Sequence, residues 1–181
     1  VYMTSVTDHW ATAAVVGPKS RDVIAKVAKF IDLSPEAFKF MDWREGTIAG
    51  VPARVFRISF SGELAYEVNV EASYGAHVWE ALMEAGREFG ITPYGTETMH
   101  VLRAEKGFII VGQDTDGSMT PFDLDMPWAV GMKKPFSFIG KRSFARSDTA
   151  RTDRKQLVGL VTDDPSVVLR EGAQIIESTA I

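Results

Sequence analysis

Residues Val51 to Glu71 read Val-Pro-Ala-Arg-Val-Phe-Arg-Ile-Ser-Phe-Ser-Gly-Glu-Leu-Ala-Tyr-Glu-Val-Asn-Val-Glu. The part up to Phe60 is rich in β-branched and aromatic residues, and Leu64, Tyr66, Val68 and Val70 then alternate with Ala65, Glu67, Asn69 and Glu71. Successive side chains of a strand point to opposite faces. The pattern therefore predicts two strands joined near Ser61-Gly62-Glu63, with one apolar face and an opposite face that carries Glu67. The apolar face has to be covered, and the flanking sequence offers helices to cover it.

Upstream, Thr12 to Val16 reads as a strand, and Gly17-Pro18 leads into a helix whose Val23, Ile24, Val27, Phe30 and Ile31 recur at intervals of three and four. Ser34-Pro35-Glu36 signals a helical turn around Ala37 to Met41. Downstream, a helix from about Tyr74 to Phe89 places Val78, Trp79, Leu82, Met83 and Gly86 on one face, and Gly90 ends it. Thr96 caps a third helix carrying Met99, Leu102 and Arg103, which Gly107 closes before a short buried strand at Phe108 to Val111. The stretch from Asp114 to Pro127 is irregular, and a boundary is expected near Lys133 to Phe138. Beyond it, Gly140 to Phe144 reads as a short helix and Leu157 to Thr162 and Ala173 to Ile176 as strands. The expected fold class is α+β, a mixed or antiparallel sheet packed by helices over residues 1–136. Residues 137–181 are expected to begin a small, truncated β-barrel domain, because two strands alone are marginal in water.

Composition narrows the function. The 181 residues are 45% hydrophobic, enough for a core, and 24 acidic against 20 basic residues are interspersed along the chain, leaving a net charge of -4. Such a balance offers no field for nucleic acid or an anionic membrane. No apolar run nears the roughly 20 residues that span a bilayer, and Val1 to Trp10 lack the blocks of a signal peptide, so a cytoplasmic protein is expected. The absence of cysteine removes disulfides, thiolate nucleophiles and Cys-held zinc or iron–sulfur clusters. The first residue, Val1, and the apolar ending Thr179-Ala180-Ile181 read as cut points in a longer polypeptide.

Candidate chemistry is sparse. Glu67 is either a solvated strand glutamate or a cleft carboxylate able to accept the paired N–H donors of an aminopyrimidine. Arg103 is either an ion-pair partner of Glu97 or Glu105 or a fork for a carboxylate. Asp114-Thr115-Asp116-Gly117 departs from an EF-hand loop in its glycine position, with Asp125 where the glutamate belongs. His9, His77 and His100 have no metal-ligand spacing, and no phosphate- or dinucleotide-binding glycine motif occurs. No metal site and no catalytic residue is expected within the chain.

These motifs, in order, are Val15-Val16-Gly17-Pro18, Ser61-Gly62-Glu63-Leu64-Ala65-Tyr66-Glu67, Leu102-Arg103-Ala104-Glu105-Lys106-Gly107, Gly112-Gln113-Asp114, Thr120-Pro121, Trp128 and Phe138-Ile139-Gly140-Lys141. Together they resemble the folate-binding aminomethyltransferase-like family, which includes the glycine-cleavage aminomethyltransferase and the sarcosine and dimethylglycine oxidases. Within it, the wording Arg103 to Gly107 and Gly112 to Gly117 is most similar to the C-terminal part of the alpha subunit of heterotetrameric sarcosine oxidase. The resemblance implies tetrahydrofolate as cofactor, Glu67 as the residue gripping the pterin, Arg103 beside it, Phe60 in place of a usual tyrosine, and Tyr66 as a further neighbour. It implies no flavin or NAD in this segment, a catalytic aspartate upstream of Val1, and as partners the other domains of the alpha subunit and the beta, gamma and delta subunits. The parent reaction would then be sarcosine oxidation to glycine, with its methylene group passed to tetrahydrofolate. Rival readings are a glycine-cleavage aminomethyltransferase, a non-catalytic scaffold domain, and a folate-binding iron–sulfur assembly factor. The last carries Lys-Gly-Cys-Tyr where this chain has Lys106-Gly107-Phe108-Ile109.

Overall fold

The computed structural model describes residues 1–170, 172–174, 176 and 178. They form two compact units, Val1–Ile110 and Val111–Ile181. The first unit is α+β. It contains β1 (Trp10–Val16), α1 (Ser20–Val27), β2 (Ala28–Lys29), β3 (Trp43–Ile48), β4 (Val51–Phe56), β5 (Ala65–Glu71), α2 (Gly75–Gly86) and α3 (Thr96–Glu105). The five strands make one sheet in the order β1-β5-β4-β3-β2, with every pair antiparallel.

The alternation in β5 sets the layering. Tyr66, Val68 and Val70 are buried, with Val15 of β1, Ala53 and Val55 of β4 and Ile48 of β3 on the same side. The helices α1 and α2 cover that side through Val23 and Ile24, and through Val78, Leu82 and Ala85. Removing this apolar surface from water stabilises the unit by about 25 cal/mol per Å². Gly46 of β3 is required by packing, because a Cβ there would lie 2.4 Å from Ile31 Cγ1. The loop after β2 is held by guanidinium groups, with Arg21 donating to Leu33 O, Arg44 to Ala37 O, and Arg57 to Phe38 O at 2.6 Å.

Several boundaries differ from the sequence expectation. The first helix ends at Val27, so Phe30 is not on its apolar face but lies 88% exposed at a φ of 65°. The turn to β2 wins because Ala28 and Lys29 pair with Ile48 and Thr47 of β3. Strand β3 has no clear signal in the sequence, since Arg44, Glu45 and Gly46 dilute its pattern. Trp79 is exposed on α2 while Ala85 takes a buried position. Thr96 starts α3, but Gly95 occupies the cap position and no side chain caps the helix. No strand forms at Phe108 to Val111, where Phe108 and Val111 are exposed.

The second unit contains short 3-10 turns at Pro127–Ala129 and Lys141–Ala145 and, among its described residues, no strand. The strand expected at Leu157 to Thr162 is therefore not formed; the one at Ala173 to Ile176 includes Ile175, which lies outside the described residues. The unit is organised around buried Asp123. Its carboxylate accepts from Arg154 Nη2 at 2.8 Å and from the Thr120 N–H at 2.8 Å, while Arg154 Nη2 also donates to Ser118 O at 2.7 Å and Arg154 Nη1 to Asp148 Oδ2 at 3.0 Å. The Arg154 hydrogen bonds, with those of Thr120, hold the Asp123 carboxyl well below its ordinary value of 3.8. A depressed carboxyl pKa contributes stability that is present above the unfolded value and is lost as the pH falls through the folded one. In the full-length protein, Asp123→Asn should leave Arg154 short of its buried counter-charge and cost the unit about 3 kcal/mol at neutral pH. Hydrogen exchange over residues 118–157 measures this; the gap to wild type should narrow below pH 3.8, and unchanged protection would contradict it.

Candidate functional site

The sheet side turned away from α1 and α2 carries the polar half of each strand. Antiparallel partners share a face, so the register Ala14↔Glu67, Glu67↔Phe56 and Phe56↔Trp43 sets these four residues in one row across β1, β5, β4 and β3. The next row is Thr12, Asn69, Arg54 and Glu45. Its members are spent on one another: Thr12 Oγ1 donates to Asn69 Oδ1 at 2.6 Å, and Arg54 Nε donates to Glu45 Oε1 at 3.2 Å while stacking on Trp10 at 4.7 Å.

Glu67 is treated differently from its neighbours. It is half-buried, and among the described residues its carboxylate forms no ion pair and accepts no hydrogen bond. Burial raises its pKa above the ordinary value, with no neighbouring cation to offset the effect. A carboxylate partly removed from water without compensation is unfavourable for folding, and such groups concentrate at functional sites.

Arg103 lies on α3 and is buried, with 7% of its surface exposed. Its main chain and side chain both close the helix end. Phe108 N–H donates to Arg103 O at 2.8 Å and Gly107 N–H to Ala104 O at 3.0 Å, with Gly107 at a φ of 74°, the left-handed helix stop that glycine favours. Arg103 Nη1 donates to Phe108 O at 3.1 Å. Among the described residues it makes no ion pair with Glu67, Glu97 or Glu105.

Phe60 sits at the tip of the β4–β5 connection, 43% exposed, with its ring 6.4 Å from that of His100 on α3. The same connection meets the end of α3 again through Glu63 and Lys106, paired at 2.5 Å, and through Gly62, where a Cβ would lie 2.8 Å from the Lys106 side chain. The Ser-Gly-Glu and Leu-Arg-x-Glu-x-Gly motifs thus form one corner of the unit. Tyr66 goes elsewhere: it is fully buried on the core side of β5, edge-on to Phe38 at 5.6 Å and beneath Arg21, with no hydrogen-bond partner for its Oη among the described residues. The fold therefore gathers Phe60, Glu63 and the α3 end, sets Glu67 on the open sheet face, and separates Tyr66 from Glu67 by the thickness of the sheet. Phe56 was not singled out in the sequence; its signal is a β4–β5 connection running from Arg57 to Leu64, which makes Phe56 rather than Phe60 the cross-strand neighbour of Glu67.

The acidic glycine turn is locally satisfied, with Asp116 Oδ1 accepting from the Ser118 N–H at 2.8 Å and its hydroxyl at 2.6 Å. Among the described residues no group of three or more His, Cys, Asp or Glu could hold a metal, and no helix is long and apolar enough to cross a membrane. A cavity of about 460 Å³ lies between β1, the start of α1, α2 and residues 89–99, lined by Val16, Trp79, Leu82, Phe89, Ile91 and Met99 among others. Glu67, Phe60, Tyr66 and Arg103 are not among its walls.

Residues 1–134 match the model of the GCVT N-terminal domain. The chain belongs to that family. Over its whole length it is 58% identical to the sarcosine oxidase subunit alpha of Corynebacterium sp. (strain U-96), covering 19% of that protein. It is 42% identical over 99% of its length to the sarcosine oxidase subunit alpha of Rhizobium meliloti (strain 1021), again covering 18% of the relative. An aminomethyltransferase of Halothermothrix orenii is 35% identical over 84% of the chain, which covers 42% of it. The chain thus spans about a fifth of the sarcosine oxidase subunits it resembles. The family match ends at residue 134, and backbone packing divides the chain after Ile110.

Two outcomes follow for the full-length protein. The raised pKa of Glu67 means that the folded state is penalised progressively as the pH rises through the unfolded and then the folded value. Glu67→Gln should therefore raise the thermal midpoint at pH 7, with the gain shrinking toward pH 4; a gain that grows on acidification would refute the assignment. Tyr66→Phe removes a buried hydroxyl that has no partner among the described residues, so it should be neutral or stabilising by up to about 1 kcal/mol in urea unfolding.

Proposed function

We propose that this chain is the tetrahydrofolate-binding, one-carbon-accepting region of a sarcosine oxidase alpha subunit. The observation that carries the reading is Glu67, a half-buried carboxylate on an open sheet face with no partner of its own among the described residues. Its two oxygens suit the ring N–H and exocyclic amine of a pterin, which together present adjacent donors to a carboxylate. The family match and the 58% identity over the whole chain support folate as the ligand class and the oxidase as parent.

Tetrahydrofolate supplies the nitrogen nucleophile that captures a one-carbon unit. The residues of this chain bind and orient it: Glu67 grips the pterin edge, Phe60 adds an aromatic surface from the β4–β5 connection, and Arg103 holds the α3 end on which that connection rests. The Tyr66 ring lies on the core side of the sheet, away from the face that carries Glu67. In the parent, sarcosine and dioxygen yield glycine and hydrogen peroxide while the methylene group passes to tetrahydrofolate. Oxidation belongs to other domains and subunits of the assembly, in which the alpha subunit is joined by the beta, gamma and delta subunits; the assembly works in the cytoplasm. Residues 137–181 are read as belonging to a small β-barrel domain.

The 35% identity to an aminomethyltransferase favours a second reading, transfer from an aminomethyl-lipoyl carrier with release of ammonia. Sarcosine-dependent peroxide formation by the full-length protein and its partners supports the first; carrier-dependent ammonia release supports the second. For the pocket itself, calorimetry with 5-formyltetrahydrofolate should show Glu67→Ala weakening binding by about 1.5–3 kcal/mol. Equal affinity in both proteins would remove Glu67 from the site and leave a scaffold.

A further inference from the structure

The row that contains Glu67 differs from the row beside it in what its other members are. Thr12, Asn69, Arg54 and Glu45 form hydrogen bonds and an ion pair with one another, as expected of a sheet face in water. Ala14 and Phe56 have no polar side-chain atom, and among the described residues the Trp43 indole N–H makes no hydrogen bond. Ala14 raises nothing beyond a Cβ next to the carboxylate, and on the other side Phe56 stands as its direct cross-strand partner. Trp43 stacks on Phe56 with ring centroids 6.1 Å apart and planes 22° from parallel, while itself 49% exposed. A cross-strand pair brings the Cβ atoms of Phe56 and Glu67 to about 5 Å. An acceptor for edge-on donors therefore stands beside a flat apolar surface backed by a second ring, with an open side at Ala14.

Resting on the folate reading above, we propose that Phe56, backed by Trp43, is the aromatic wall against which the Glu67-bound heterocycle packs, and that it selects for planar aminopyrimidine ligands. A planar ring hydrogen-bonded through its edge to Glu67 leaves its faces free, and an aromatic face one strand away offers offset stacking. The pairing also gives selectivity. A ligand with a carboxylate-binding edge but no planar ring gains only the hydrogen bonds, and a planar ring without paired donors leaves Glu67 desolvated and unpartnered. Phe60 belongs to the adjoining corner, where its partner is His100, so the two phenylalanines have separate positions.

The test uses the full-length protein, 5-formyltetrahydrofolate as probe, and calorimetry alongside tryptophan emission. Phe56→Leu should weaken binding about 3- to 10-fold, Phe56→Tyr should stay within about 2-fold of wild type, and Trp43→Phe should keep affinity while abolishing much of the ligand-induced emission change. Wild-type affinity in Phe56→Leu, with Glu67→Ala still impaired, overturns this proposal and leaves the folate reading standing. Equal weakening by Phe56→Leu and Phe56→Tyr, tracked by a lowered thermal midpoint, assigns the ring a packing role and likewise overturns it. Undiminished binding in Glu67→Ala overturns the folate site first and this wall with it.

Discussion

The antiparallel register of β5 between β1 and β4 is the constraint on which the rest depends. Val68 faces Ala13 and Val55, and Glu67 faces Ala14 and Phe56. Because side chains alternate with a period of two, a slip of one residue would carry Tyr66, Val68 and Val70 into water and drive Glu67 and Asn69 under the helices. The apolar cost of such a slip fixes the register, and the fixed register delivers Glu67 to the open face. Core packing and site geometry are thus two consequences of one pairing.

That open face is not uniformly polar. Where Thr12, Asn69, Arg54 and Glu45 neutralise one another, the strand surface behaves as an ordinary wetted one. One row over, Ala14 and Phe56 flank a carboxylate they cannot satisfy, with Trp43 behind Phe56, and burial raises the carboxylate's proton affinity. The protein tolerates this because the buried side of the same strands supplies ample stabilisation from Val55, Val68 and Val70. Local destabilisation of this sort is what a ligand with matching donors can relieve.

The corner at the end of α3 shows how a motif can be structural and still serve a site. Arg103 bonds to Phe108 O through its side chain and accepts from the Phe108 N–H through its carbonyl, so the helix stop and the chain beyond it are locked together. Lys106 then reaches Glu63, and Gly62 lets the two segments approach closely. The β4–β5 connection, with Phe60 at its tip, is positioned by these contacts and not by strand pairing. In the second unit Arg154 plays a comparable part, converting the irregular acidic stretch around Asp123 into an ordered turn.

The α+β class, β5 and its two faces, the helix over residues 75–86 and the glycine stops at Gly90 and Gly107 were legible in the sequence, because each rests on short-range periodicity or on a backbone conformation that glycine favours. The sheet order was not, nor was β3, whose Arg44, Glu45 and Gly46 mask its alternation. Phe30 and Trp79 were assigned to apolar faces by spacing alone, yet the early end of α1 and the burial of Ala85 decided otherwise. Sequence by itself determined that Glu67 and Tyr66 point to opposite sides, since adjacent residues of a strand must. Only the tertiary structure decided that Phe56 is the cross-strand neighbour of Glu67, because that depends on how far the β4–β5 loop runs before the chain finds its partner again.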